Sequence, residues 1–113
     1  MANINELQAN FSNFMSLIPE KVDQEIFQDI VKTGNITIER IISHGQSSPE
    51  TGWYEQEKSE WVMVVAGEAI IEFENEQEIR LKPNDFILIE PHRKHRVKWT
   101  TPNQKTIWLA VHF

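Results

Sequence analysis

The chain has 113 residues, 40% hydrophobic and 25% charged, with a formal net charge of −6 and no cysteine. That length makes one domain. The absence of cysteine excludes disulfides, thiolate catalysis and zinc–thiolate sites, and the acidic balance argues against non-specific binding to nucleic acid or to an anionic membrane surface.

No apolar run approaches the ~20 residues that a membrane span needs. No Lys or Arg precedes Lys21, unlike a secretory signal, so the cytoplasm is the expected compartment. The stretch 1–24 is polar with scattered apolar anchors, among them Leu7 and Leu17, and is expected to form an arm packed on the outside of the domain. Phe11, Phe14, Met15 and Ile18 fit a short helical stripe, and Pro19 ends any helix there.

Residues 25–113 form the expected β-barrel domain. Ile26 to Lys32 and Ile36 to Ser43 are strand-like runs around Thr33-Gly34-Asn35, a hairpin signal; the first run also suits a short helix. His44 to Gly52 is a loop by composition, with Gly45, Pro49 and Gly52. Glu60 to Ala66 is nearly all apolar and β-favouring, as in a strand buried on both faces.

Strands then follow in quick succession. Gly67-Glu68 turns into Ala69 to Glu74, and Asn75-Glu76 turns into Glu78 to Leu81. Pro83-Asn84-Asp85 turns into Phe86 to Ile89, and Pro91-His92-Arg93 into His95 to Thr100. Thr101-Pro102-Asn103 leads to Thr106 to His112. Close, regular spacing without helical periodicity predicts an all-β, antiparallel sandwich or barrel. The basic run His92 to Arg96 reads as a solvated turn and strand start.

In such a barrel, polar residues at inward positions of neighbouring strands converge at the mouth. Glu60 is followed, after six residues, by Gly67; Asp85, Pro91 and His95 follow in that order. These residues resemble the two motifs of the cupin superfamily, over roughly Ile36 to Phe113. The resemblance implies a double-stranded β-helix, or jelly-roll barrel, of the small single-domain kind, with a short N-terminal arm or helix. By the same resemblance Glu60 and His95 take the places of the motif glutamate and last histidine, Gln56 that of the second histidine and Tyr54 that of the first. With the alternative loop length the pair falls on Trp53-Tyr54-Glu55 instead of Tyr54-Glu55-Gln56, and in either case both paired histidines are replaced. Asn84 stands where glycine is usual and Trp99 where asparagine is usual. The run Trp53-Tyr54-Glu55-Gln56 before Glu60-Trp61-Val62 is similar to a subgroup of small cupins with no settled reaction.

Gln56, Glu60 and His95 are therefore the candidate metal ligands, for iron, manganese, zinc or nickel; a hydrogen-bonded cluster around ordered water is the competing reading. Glu60 and Tyr54 are candidate acid–base residues. Tyr54, Val62, Val97 and Trp99 are expected to line a small-molecule pocket, Trp99 because it stands four residues after His95. Glu60 and Val62 are expected to face in and Trp61 out. His92 reads as an exposed turn residue, His44 as solvent-facing with the barrel mouth as the alternative, and His112, alternating with Trp108 and Ala110, as a satisfied structural histidine with an interior position as the alternative. Three functional classes follow: a metal-assisted enzyme, a binding or sensing barrel, and a structural barrel with a relic site. A homodimer is the expected assembly.

Overall fold

The computed structural model describes residues 11–113, and Leu7 with the start of the expected arm lies outside them. Eight strands follow one another: β1 (Ile26–Thr33), β2 (Ile36–Ser43), β3 (Glu60–Ala66), β4 (Ala69–Phe73), β5 (Glu78–Leu81), β6 (Phe86–Ile89), β7 (His95–Thr100) and β8 (Thr106–His112). They form a five-stranded sheet in the order β1-β2-β8-β3-β6 and a three-stranded sheet in the order β5-β4-β7. Every pairing is antiparallel. The run from Ile26 is a strand, which closes the helical alternative left open for it.

The alternation of side chains explains why the two sheets face each other. On β4, Ala69, Ile71 and Phe73 are buried while Ile70 and Glu72 are half-buried on the other face. On β3, Val62 and Val64 point in. These residues join Ile41, Leu81, Ile89, Trp108 and Ala110 in one apolar core between the sheets. Burying a side chain of this size contributes about 1.5–3 kcal/mol relative to leaving it in water, so the inward set dominates the stability of the fold.

Two turns depend on left-handed backbone. Gly67 joins β3 to β4 at φ +88°. A Cβ on it would stand 2.6 Å from the Thr106 Cα, so the chain there admits only glycine. Asn84 takes φ +75°, a conformation asparagine tolerates better than other side chains, which accounts for its place where the related motif has glycine.

The expected helical stripe is not formed among the described residues; 14–17 make turns and bends instead. Phe14 and Ile18 pack, with Val22, on Ile42 and Ile107, which belong to the outer side of the large sheet. Phe11, Met15 and Leu17 stay exposed. The reason is Arg40, which is 0% exposed. Its guanidinium donates to the carbonyl oxygens of Phe14 and Ser16, each at 2.7 Å, and to Gln28 Oε1 at 2.9 Å. Leu17 O is a further acceptor at 3.5 Å. Carbonyls that a helix would turn along its own axis are turned instead onto the guanidinium.

β7 is irregular where it matters for the site. Ile71 pairs with Val97 but Ile70 pairs with Trp99, so Lys98 is the extra residue of a bulge. The bulge breaks the period-2 alternation, and Trp99 joins Ile70 on the outer face. The Arg80 guanidinium covers its ring at 5.2 Å.

Candidate functional site

The segment before β3 is stitched to the barrel by its backbone. Tyr54 N donates to His95 O at 2.8 Å and His95 N donates to Tyr54 O at 3.1 Å. Two residues on, Gln56 O accepts from His92 N at 2.8 Å. These bonds hold Tyr54 and Gln56 beside the start of β7. Glu60 opens β3 and stands opposite both Ile89 of β6 and His112 of β8.

Side chains from these elements meet inside the barrel. Gln56 Nε2 donates to Glu60 Oε1 at 2.9 Å. His95 Nε2 lies 3.4 Å from the same oxygen, and the imidazole is buried, the residue being 4% exposed. His95 Nδ1 is 2.8 Å from Arg93 O. A carbonyl oxygen only accepts, so Nδ1 carries a hydrogen, and Nε2 is left as the atom that can gain or lose a proton towards Glu60. On the other side, His112 Nε2 donates to Glu39 Oε1 at 2.9 Å and stands 3.9 Å from Glu60 Oε2. Glu60 is thus shared between two histidines.

Around this cluster lies a cavity of about 350 Å³. Its polar lining is Gln56, Glu60 and His95 together with Tyr54, Ser48, Glu25, Glu39 and His112. Its apolar wall is Phe27, Ile41, Val62, Ile71, Ile89, Val97 and Trp108. The Tyr54 ring stands 5.9 Å from the His95 ring. A few convergent polar groups against an apolar wall are the usual make-up of a small-molecule pocket.

The electrostatics follow from this packing. Burial raises the Glu60 pKa, but the hydrogen bond from His95, the nearby His112 and the Gln56 amide outweigh it and hold the carboxyl below its usual value. The hydrogen bond to Glu39 raises His112, aided by the Glu60 and Glu39 charges and opposed by burial and by Lys58. Burial raises Tyr54 above the ordinary phenol value; Ser48 pulls the other way, and Glu25, Glu60 and Glu39 all disfavour the phenolate. Tyr54 is therefore a hydroxyl donor at neutral pH.

Of the residues singled out in the sequence, Tyr54, Gln56, Glu60, Val62, His95 and Val97 line the cavity; Trp99 does not, because of the bulge. Trp61 packs on Phe86 at 5.4 Å on the outer face. His44 and His92 are exposed. His112, read as a satisfied structural histidine or an interior residue, is bonded to Glu39 and faces the cavity, and Glu39 and Glu25 went unnoticed. Alternation was the available signal: Glu39 shares parity with inward Ile41, and His112 with inward Ala110 and Trp108.

The donor set is arranged as a hydrogen-bonded cluster. Gln56 presents an amide N–H to Glu60, and the oxygen it meets also faces His95. Among the described residues no group of three or more His, Cys, Asp or Glu stands in a metal-holding arrangement. Every buried side-chain nitrogen and oxygen among them already has a hydrogen-bond partner.

Comparison with known proteins agrees with this architecture. A family model described as "Cupin domain" matches residues 39–112. A Ralstonia eutropha JMP134 protein, provisionally named a mannose-6-phosphate isomerase, has a crystal structure that superposes with a TM-score of 0.85 at 42% identity, covering 90% of this chain and 95% of that one. A cupin superfamily protein of Desulfitobacterium hafniense DCB-2 superposes at 0.71 with 21% identity, covering 87% and 84% of the two chains. An RmlC-like cupin of Methanocaldococcus jannaschii with a double-stranded β-helix does so at 0.67 with 12% identity, covering 84% of each. The last two show the fold alone. No curated protein matches the chain.

Proposed function

The chain belongs to the cupin family, and on that premise we propose that its barrel binds a small polar molecule and shifts a proton on it, with Glu60 as the base and His95 Nε2 as its proton-exchanging partner. The observation that carries this reading is Glu60 itself. Its carboxylate is anionic, held between Gln56 Nε2 at 2.9 Å and His95 Nε2 at 3.4 Å, at the polar end of an apolar-walled cavity. A base must be ionised, oriented and shielded from bulk water to take a proton from carbon.

The chemistry this supports is isomerisation next to a carbonyl group. A carbon-bound proton passes to Glu60, and the electron pair of the broken C–H bond moves into the carbonyl group as an enolate. The proton of a hydroxyl on that same carbon moves to the former carbonyl oxygen, and Glu60 returns its proton to the former carbonyl carbon. A new carbonyl thus forms where the hydroxyl stood, with no net gain or loss of atoms or electrons. The Tyr54 hydroxyl is the donor suited to the enolate oxygen. The name of the Ralstonia eutropha relative falls in this reaction class, since an aldose and its ketose differ by such a proton shift.

Iron, manganese, zinc or nickel is the competing requirement suggested by the sequence motif, and the hydrogen-bonded donor set favours the metal-free reading. Deuterium incorporation from D2O decides between them, followed by NMR on a panel of aldoses, ketoses and other small carbonyl compounds. Incorporation that survives a chelator and is lost in Glu60→Gln supports the proposal. Incorporation that stops with the chelator and returns with one of the four metals overturns it in favour of metal catalysis. Ligand binding without any incorporation leaves a binding barrel.

For assembly we infer a homodimer. On the outer face, Phe86 at 61% exposure and Leu88 at 49% stand beside Trp61 on the edge strand β6. A monomeric mass by sedimentation at high protein concentration would exclude it.

A further inference from the structure

We propose that the barrel cavity selects a small organic cation, an amine on a compact and partly apolar body, over neutral molecules and anions of the same shape. This rests on the cavity being a ligand site, as proposed above, and adds the chemical class of the ligand.

The first observation is the composition of the wall. Among the described residues Glu25, Glu39 and Glu60 line the cavity, with His95 and His112, and no Lys or Arg does. Even with both imidazoles protonated, one carboxylate is left uncompensated; with fewer protons, two or three are. The residues beside His95 in sequence do not alter this. The Arg93 guanidinium lies 3.7 Å over the Phe73 ring and donates to Gln77 Oε1 at 3.0 Å. Arg96 is paired with Glu72 at 2.6 Å and covers Trp53. Both cations are used up outside the cavity. Lys58 is close enough to oppose protonation of His112 but does not line the cavity.

The second observation is how the carboxylates are held. Glu39 is engaged by His112, and Glu60 by Gln56 and His95. Among the described residues Glu25 is met by a hydroxyl: Ser43 Oγ donates to Glu25 Oε2 at 2.8 Å, and Ser43 also accepts from Trp108 Nε1 at 3.2 Å. A neutral donor fixes the orientation of Glu25 without neutralising it. The three carboxylates line one cavity together with Tyr54. The field inside the cavity is therefore negative over its polar part.

The third observation is the rest of the wall. Phe27, Tyr54 and Trp108 present aromatic surface to the same space, alongside Ile41, Val62 and Ile71. Aromatic faces attract a cation and repel an anion. An ammonium entering here exchanges its water for carboxylates that are already oriented. An anion would lose its water and meet like charge, with no cation in the wall to receive it. The net charge of −6 on the chain extends the same bias to the approach of the ligand. On this argument the phosphate of a sugar phosphate, as in the name of the Ralstonia eutropha relative, finds no receptor inside the cavity.

The test compares benzylammonium, benzyl alcohol and benzoate, with mannose 6-phosphate as a further anion. Each is titrated at neutral pH into the full, isotope-labelled chain while the amide resonances of Tyr54, Gln56, Glu60 and His95 are followed. One added charge pair at the separations of such a cavity is worth about a tenfold change in affinity or more. Benzylammonium is expected to bind at least about tenfold more tightly than benzyl alcohol, with benzoate and mannose 6-phosphate weaker than either. Glu25→Gln should weaken benzylammonium by a larger factor than benzyl alcohol, and equal loss for the two overturns the charge selection. Benzoate or mannose 6-phosphate binding as tightly as benzylammonium at these resonances overturns the charge selection while leaving the cavity a ligand site. Equal affinity for benzylammonium and benzyl alcohol overturns it likewise. If none of the four moves the resonances, both this inference and the ligand-binding reading fall.

Discussion

Replacing Gly67 with alanine perturbs the close backbone approach between the β3–β4 turn and β8. The magnitude follows from two separate costs. At φ +88° an alanine sits in left-handed backbone, which disfavours an L side chain by roughly 1–2 kcal/mol. Its Cβ would also stand 2.6 Å from the Thr106 Cα and 2.8 Å from the Thr106 Cβ, and meet Thr106 Oγ1 as well. Backbone cannot rotate away as a side-chain tip can, so β8 must shift, and overpacking of that kind costs about 1–3 kcal/mol. Thr106 Oγ1 also bonds the backbone N–H and carbonyl of Glu68, so the shift disturbs the turn itself. The total is roughly 2–5 kcal/mol, a large part of the ~5–15 kcal/mol that holds a domain folded. At about 4 °C per kcal/mol for a chain of this size, the Tm should fall by roughly 8–20 °C. Thermal and urea denaturation followed by far-UV circular dichroism measures both quantities. Adding Thr106→Ala should not restore stability, because the Thr106 Cα and Cβ remain in the way. A Tm drop below about 3 °C, or rescue by Thr106→Ala, would show that the approach is looser than described.

Arg40→Met removes the guanidinium that gathers the Phe14, Ser16 and Leu17 carbonyls, leaving them without that donor under a buried side chain; a loss of about 2–4 kcal/mol and early proteolysis within residues 11–22 are expected, and unchanged proteolysis would refute the anchoring role. The pH profile of stability should be highest between about pH 4.5 and 6.5. Glu60 is held below its usual value, so its contribution is complete above pH 4.5 and fades as pH falls through the folded pKa; His112 is raised, so its contribution is complete below pH 6.5 and fades as pH rises through its folded pKa. Urea denaturation across pH checks this, and stability that climbs from pH 6.5 into the alkaline range would contradict it. Glu39→Gln should lower the titration midpoint of His112 seen by NMR, since the Glu39 hydrogen bond is the largest cause of its rise; an unmoved midpoint would remove Glu39 as the cause. Val97→Trp should block ligand entry where Trp99→Phe leaves binding unchanged, because Val97 lines the cavity and Trp99 lies outside it; the reverse result would place the bulge elsewhere.

The succession of strands along the chain and most of their limits were legible in the amino-acid sequence, because period-2 burial and turn chemistry are local. The runs Glu60–Ala66, Glu78–Leu81, Phe86–Ile89 and His95–Thr100 emerge with the limits expected of them. The spacing from Glu60 to Gly67 and on to His95 was equally visible, since it reflects two strands that must meet inside one barrel. What the sequence could not decide depends on contacts between distant segments. Arg40 belongs to a strand whose pattern says nothing of a segment more than twenty residues earlier, yet that segment buries it and surrenders its helix to it. Trp99 left the cavity because β7 and β4 accommodate one extra residue, and a bulge is a property of two paired strands, not of either alone. Glu39 and His112 lie 73 positions apart and meet only when β2 pairs with β8. Alternation could place each on the inner face, but the distance between them, the sharing of Glu60 and the negative charge of the cavity exist only in the closed barrel, where hydrogen-bond register brings remote strands to within a few ångströms.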